Sequence, residues 1–92
     1  MDKSRMGLIG MGMIGALHGR VLAGMRDVSF VAASDSNPNL SSLADRWGVP
    51  FYPDYRQMLD REKLDGVVIA VPNKLHLPVA EECASRGLHI LL

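Results

Sequence analysis

The 92-residue sequence has one cysteine, no excess of either charge, no apolar run of membrane-spanning length and no low-complexity tract. A single cysteine excludes an internal disulfide and fits a reducing compartment. Ten basic residues balance ten acidic ones, and no basic face or run stands out, which argues against an electrostatic nucleic-acid binder. The longest apolar runs fall well short of the ~20 residues a membrane helix needs. Met1-Asp2-Lys3-Ser4-Arg5 leads straight into a strand pattern and lacks the layout of a signal peptide. No group of Cys, His, Asp and Glu has metal-ligand spacing. What remains is an ordinary globular composition, 48 % hydrophobic and 22 % charged. A soluble cytoplasmic protein of one domain, without nucleic-acid or membrane partners, is expected.

What is present is glycine at a particular spacing. Met6-Gly7-Leu8-Ile9 reads as a short strand, and Gly10-x-Gly12-x-x-Gly15 follows it. Ile14, Leu17, Val21, Leu22 and Met25 then recur at spacings of three and four, a helical pattern expected over 13–26. In a dinucleotide-binding turn each glycine has its own reason. Gly10 lets the chain turn off the strand, Gly12 lets a pyrophosphate approach the backbone, and Gly15 lets the helix pack close. The helix start offers unpaired N–H groups and the positive end of its dipole. A glycine loop alone is weak testimony. Here it sits between strand and helix, and Asp35 closes a second apolar run about twenty residues after Gly15, where an acid takes the ribose hydroxyls.

The remaining chain repeats one rhythm. Strands are expected at 28–34, 49–52, 66–71 and 89–92. Pro50 and Pro53 demote the 49–52 segment to a sheet edge. Helices are expected from Pro38 to Trp47, after Asp54, and over 76–86, the last with Leu77, Ala80, Cys83 and Ala84 as its apolar face. Gly48 and Gly87 close the first and last of these, and Asp54 with Gln57 forms a candidate capping box. Strands alternating with helices mean an α/β fold, a doubly wound parallel sheet with strand order 3-2-1-4-5. Ile9, Val31, Val68 and Ile90 should lie near its core. The pattern of Leu88-His89-Ile90-Leu91-Leu92 is that of a buried strand, so the sheet reads as incomplete at its C-terminal end. We therefore expect residues 1–92 to be a dinucleotide-binding domain, the front part of a longer protein.

With the fourth strand in view, the chain resembles the amino-terminal domain of the glucose–fructose oxidoreductase / inositol dehydrogenase (Gfo/Idh/MocA) family. The resemblance rests on Gly10-x-Gly12-x-x-Gly15-x-x-His18, on Asp35, on Val71-Pro72-Asn73-x-x-His76, and on Ala84-x-x-Gly87-x-His89-Ile90-Leu91. It runs from about Arg5 to Leu92. It implies an NAD- or NADP-dependent oxidoreductase acting on sugars, inositols and related polyols. It also implies a Glu-Lys-Pro segment and a substrate-binding domain beyond Leu92, through which a homo-oligomer is expected. No catalytic or metal-binding residue is assigned within these 92 residues.

The expected cofactor-binding residues are Gly10, Gly12, Met13, Ile14, Gly15, Asp35, Val71, Pro72, Asn73 and His76. An acid at Asp35 repels the 2′-phosphate of NADP, and no arginine follows in the turn, so NAD is the expected cofactor. Met11 is expected to pack within the loop. His18 reads as structural, Trp47 as core-facing, and Cys83 as a small apolar residue facing the sheet. A non-catalytic dinucleotide sensor is the alternative reading. An S-adenosylmethionine-dependent methyltransferase fits the glycine spacing and Pro72-Asn73 less well.

Overall fold

The computed structural model describes residues 3–92. Their strands are β1 (Ser4–Ile9), β2 (Val28–Ser34), β3 (Phe51–Tyr52), β4 (Gly66–Ile69) and β5 (His89–Leu91). All pair in parallel, in the expected order β3-β2-β1-β4-β5. The helices are α1 (Met13–Gly24), α2 (Ser41–Trp47, entered through a 3-10 turn at Pro38–Leu40), α3 (Tyr55–Arg61) and α4 (Asn73–Ser85).

Side chains of a strand alternate between faces, and the core divides accordingly. Met6, Leu8 and Val68 meet Leu22 of α1 and Ala44 of α2 on one side of the sheet. Ile9, Val67 and Ile69 meet Met58 of α3 with Val79 and Cys83 of α4 on the other. β4 is buried at every position, as a central parallel strand covered on both faces should be. Ile9 and Val68 lie in the core as expected, and Val31 and Ile90 pack half-buried against its edge.

Four local expectations need correction. Most of the apolar stripe of α1 points outward, Leu22 excepted: Ile14 is 60 %, Leu17 56 % and Val21 53 % exposed. Its buried residues are Gly15, Gly19 and Leu22. A Cβ on Gly19 would collide with the Trp47 ring, and Trp47 in turn packs on Phe30 at a centroid distance of 5.6 Å. The helix is thus seated through its smallest residues, which allow the closest approach. Secondly, α4 begins at Asn73 rather than His76 and holds Pro78 inside it. Its Leu77, expected on the buried face, is 67 % exposed; Val79 and Cys83 are buried instead. Thirdly, β3 is two residues long and β4 ends at Ile69, although Ala70 N–H still bonds the Ile9 carbonyl at 2.8 Å. Lastly, α1 ends at Gly24, two residues early.

The caps hold better. Asp54 accepts the Arg56 N–H at 2.9 Å to start α3, without the Gln57 side-chain bond that would complete the expected capping box, and Asn37 accepts the Asn39 N–H at 3.0 Å to start the 3-10 turn. Gly48, at φ +73°, closes α2 in the left-handed conformation that favours glycine. An ion-pair chain of Arg56, Glu82, Arg86 and Asp60 joins the outer faces of α3 and α4. Its members are at least partly solvated, so it adds little stability.

The seating of α1 can be tested with two glycines of one helix. Gly19→Ala should lose roughly 1–2 kcal/mol in urea denaturation, because overpacking against a rigid indole outweighs the helix-propensity gain. Gly24→Ala meets nothing within 4 Å and should be neutral or stabilising by up to about 1 kcal/mol. Equal effects at both positions would refute the contact.

Candidate functional site

β1 sends its chain one way to β2 and, through the later crossover, lies beside β4 on the other. The carboxyl ends of β1 and β4 therefore part, and a crevice opens there, where open α/β sheets bind ligands. In this protein it is a cleft of about 1140 Å³. Its floor is Ile9, Ser34 and Ile69, the last residues of β1, β2 and β4. Its walls come from the glycine turn, the turn after β2, the start of α3 and the start of α4.

The three glycines divide their duties. Gly10 has φ +98°, and a Cβ there would press on the Ala70 backbone at 2.6 Å. A Cβ on Gly15 would collide with the Gly10 carbonyl, so Gly15 is what lets α1 begin immediately off the strand. Both are required by the fold. Gly12 is not: its φ is −67°, open to any residue, and a Cβ there meets nothing within 4 Å. The space beside Gly12 belongs to the cleft. A backbone stretch kept bare with no internal contact to protect is what a close-approaching ligand requires.

Electrostatics favour an anion at this place. Gly12 is the N-cap of α1 and supplies no side-chain cap, and no acid occupies the first turn. The first N–H groups of the helix are orphans by construction, and the helix dipole adds positive potential. α4 starts on the same cleft in the same condition, with no side-chain cap and no acid in its first turn.

Asp35 stands half-buried at the end of β2. Its Oδ2 accepts the Met11 N–H at 2.7 Å and its Oδ1 accepts the Asn37 N–H at 2.8 Å. Gly10 N–H bonds the Ser34 carbonyl at 2.8 Å. The end of β2 thus holds two successive N–H groups of the glycine turn. A carboxylate has about four lone-pair sites, so Asp35 retains acceptor capacity toward the cleft.

Nine of the ten expected residues line this cleft: Gly10, Gly12, Met13, Ile14, Asp35, Val71, Pro72, Asn73 and His76. Gly15 is absent from the wall; it is buried beneath the turn. Asn73 occupies the first turn of α4 without capping it. Met11, expected to pack within the loop, packs into the core. His18, expected to be structural, lies on the wall, one helical turn beyond Ile14. Tyr55 and Arg56 were not foreseen at all. They open α3 and complete the far wall, with the Arg56 guanidinium 5.0 Å from the Tyr55 ring centre. Burial raises the Tyr55 hydroxyl above its usual 10.0, with Arg56 opposing, so it is a neutral phenol at physiological pH. Among the described residues no group of three metal-ligating side chains occurs, and no helix is long and apolar enough to cross a membrane.

Residues 4–92 match the oxidoreductase family with an NAD-binding Rossmann fold, Gfo/Idh/MocA. The chain is 34 % identical over 95 residues to the rhizopine catabolism protein MocA of Rhizobium meliloti, covering 99 % of this chain and 29 % of that protein. It is 40 % identical over 60 residues to D-xylose 1-dehydrogenase (NADP(+)) 2 of Haloferax volcanii, 64 % of this chain and 18 % of that one. The myo-inositol 2-dehydrogenase of Lactobacillus plantarum superposes with a TM-score of 0.91 at 29 % identity, over 97 % of this chain and 27 % of that one. The scyllo-inositol dehydrogenase of Lactobacillus casei, solved with NAD(H) and scyllo-inositol bound, gives 0.86 at 25 % identity, with the same shares. The chain therefore spans under a third of the length of these relatives.

Behind the cleft, the Cys83 thiol is buried and raised above its usual 9.0, chiefly by that burial. Tyr52 donates to Glu62 Oε2 at 2.6 Å, and that bond first, then burial, raises it above 10.0. A group whose pKa is raised on folding contributes stability that is complete below its unfolded pKa and disappears as pH rises through the folded one. Cys83, Tyr52 and Tyr55 all have this sign. Stability measured by urea should hold up to about pH 9 and fall progressively above it. At pH 8, Cys83 should react with a thiol reagent at least about a hundredfold slower than in denatured protein, since it must wait for opening.

Proposed function

The chain belongs to the Gfo/Idh/MocA oxidoreductase family, and from that membership we propose that residues 1–92 form the dinucleotide-binding domain of a longer oxidoreductase. It moves hydride between a nicotinamide cofactor and a sugar, inositol or related polyol, and works in the cytoplasm as a homo-oligomer. The observation that carries this reading is Gly12. It is bare where the fold has no need of a bare backbone, beside uncapped helix N–H groups and across from a carboxylate.

The residues fit the group. The N–H groups at Met13 and Ile14 receive the pyrophosphate, Gly10 and Gly12 leave room for it, and Gly15 seats the helix start beneath it. Asp35 accepts the adenosine ribose hydroxyls through its remaining lone pairs. Val71, Pro72, Asn73 and His76 form the opposite wall and hold the cofactor in the crevice. When bound, the nicotinamide supplies the hydride chemistry; this domain binds, orients and excludes water. Catalytic groups come from the remaining part of the protein. NAD is the cofactor: Asp35 would face the 2′-phosphate of NADP across a partly desolvated cleft, and Ser36 and Asn37 bring no compensating cation. The NADP-dependent Haloferax relative marks this choice as one that varies within the family.

Two measurements test the reading. NADH should bind at least about tenfold more tightly than NADPH, equivalent to ~1.4 kcal/mol, and Asp35→Ser with Ser36→Arg should move that ratio toward NADPH. Equal affinities, or an unmoved ratio, would remove Asp35 from the ribose site. Gly12→Val should stay folded with a loss of no more than about 1 kcal/mol, the cost of a poorer N-cap, since a Cβ there meets nothing, yet lose NADH binding by about a hundredfold or more. Wild-type affinity in that variant would put the phosphates elsewhere.

A further inference from the structure

We propose that Asp35 is a positioning residue for the pyrophosphate as well as an acceptor for the ribose, so that one carboxylate couples two parts of the cofactor site. The inference rests on the dinucleotide reading above and goes beyond it. Its basis is the pair of bonds already described: Met11 N–H to Oδ2 at 2.7 Å and Asn37 N–H to Oδ1 at 2.8 Å. Met11 is the residue between Gly10 and Gly12. Its side chain is held in the core and is 1 % exposed. Its N–H is held by Asp35. Gly10 N–H, one residue before, is held by the Ser34 carbonyl. The peptide that leads into Gly12 is therefore fixed from both sides, and Gly12 starts α1. The direction of the uncapped N–H groups is set by this fixation.

A carboxylate is the side chain this geometry needs. It only accepts, and two backbone donors converge on it from different segments. The amide of asparagine has one acceptor, so its NH₂ group would face one of the two donors. Serine lacks a second acceptor atom. A longer carboxylate, glutamate, keeps the charge but displaces both oxygens by one methylene. Changes that admit a 2′-phosphate at this position accordingly also loosen the turn beneath the diphosphate. Conversion to NADP use at Asp35 should weaken binding of the cofactor's diphosphate as well as shift its ribose preference.

The test separates the two roles by removing the ribose hydroxyls from the ligand. ADP and 2′,3′-dideoxy-ADP are titrated calorimetrically into the protein and into Asp35→Asn and Asp35→Glu. Amide hydrogen exchange at Met11 is followed in the same three proteins without ligand. We expect Asp35→Asn to bind dideoxy-ADP about tenfold more weakly than the unmodified protein, although the ligand has no hydroxyl for residue 35 to meet. We expect Met11 exchange to quicken by at least about tenfold. Asp35→Glu should still bind ADP more tightly than dideoxy-ADP while losing affinity for both. Unchanged dideoxy-ADP affinity together with unchanged Met11 exchange in Asp35→Asn would overturn the proposal and leave Asp35 a ribose acceptor only. If the unmodified protein binds neither nucleotide, the dinucleotide reading fails and with it the coupling. The exchange rate, which needs no ligand, then shows whether the carboxylate still holds the turn.

Discussion

The structure depends on how closely α1 can sit against the end of β1. Three residues separate the strand from the helix, and Gly15 comes so near the Gly10 carbonyl that no side chain fits between them. A shorter approach is not available to an L-residue with a Cβ, and a longer one would swing the helix start away from the crevice. Everything functional follows from that distance. The orphan N–H groups of α1 face the cleft because the helix begins where the strand stops. The same closeness explains the second contact along the helix, where Gly19 receives the Trp47 ring. That contact seats α2 against α1, while the parallel pairing of Ile9 with Ser34 brings the turn after β2, with Asp35, alongside the glycines.

Seating a helix by glycine has a side effect on its other residues. An α-helix whose inward face is glycine puts its larger apolar residues elsewhere, and in α1 they lie outward at Ile14, Leu17 and Val21. Leu91 is 60 % exposed and pairs with Val68, so it lies on the same side of the sheet as α1. β4 itself is covered. Among the described residues the large exposed apolar side chains lie along α1 and just past it, on the first half of α4 at Leu75 and Leu77, and at the β5 edge, and clustered apolar surface of this kind is more often found at contact surfaces than on isolated monomer faces.

Much of this was legible in the sequence. The strand–helix rhythm determines a parallel sheet, the right-handed crossover rule determines its order, and the fingerprint from Gly10 to Asp35 locates the crevice. The misreadings have a common physical source. Periodicity shows that a helix has an apolar stripe, but the inward face of α1 is selected by close approach, which glycine gives and periodicity does not register. Leu77 was misassigned in the same way: the buried stripe of α4 runs through Val79 and Cys83, four residues apart, and Leu77 lies off it. Tyr55 and Arg56 are far in sequence from both the glycines and Asp35. They reach the cleft only because α3 crosses from the edge strand β3 back toward the centre and passes over β2, which no local pattern encodes. His18 lies one turn along α1 from Ile14, and its place on the wall could have been found from helical spacing alone.

Gly12 has a consequence for how such a protein changes over generations. Selection for a folded, abundant chain guards Gly10, Gly15 and Gly19, since almost any replacement there disturbs packing. It presses far less on residue 12, where a Cβ meets nothing and only the mild N-cap preference of α1 favours glycine. On the reading proposed above, it is the ligand that keeps that position bare. A lineage released from its metabolic role would thus lose glycine there early and silently. Its descendants would still express, fold and resemble their relatives over the whole domain. The identity of this one residue separates a working nucleotide binder from a well-folded relic more sharply than overall similarity does.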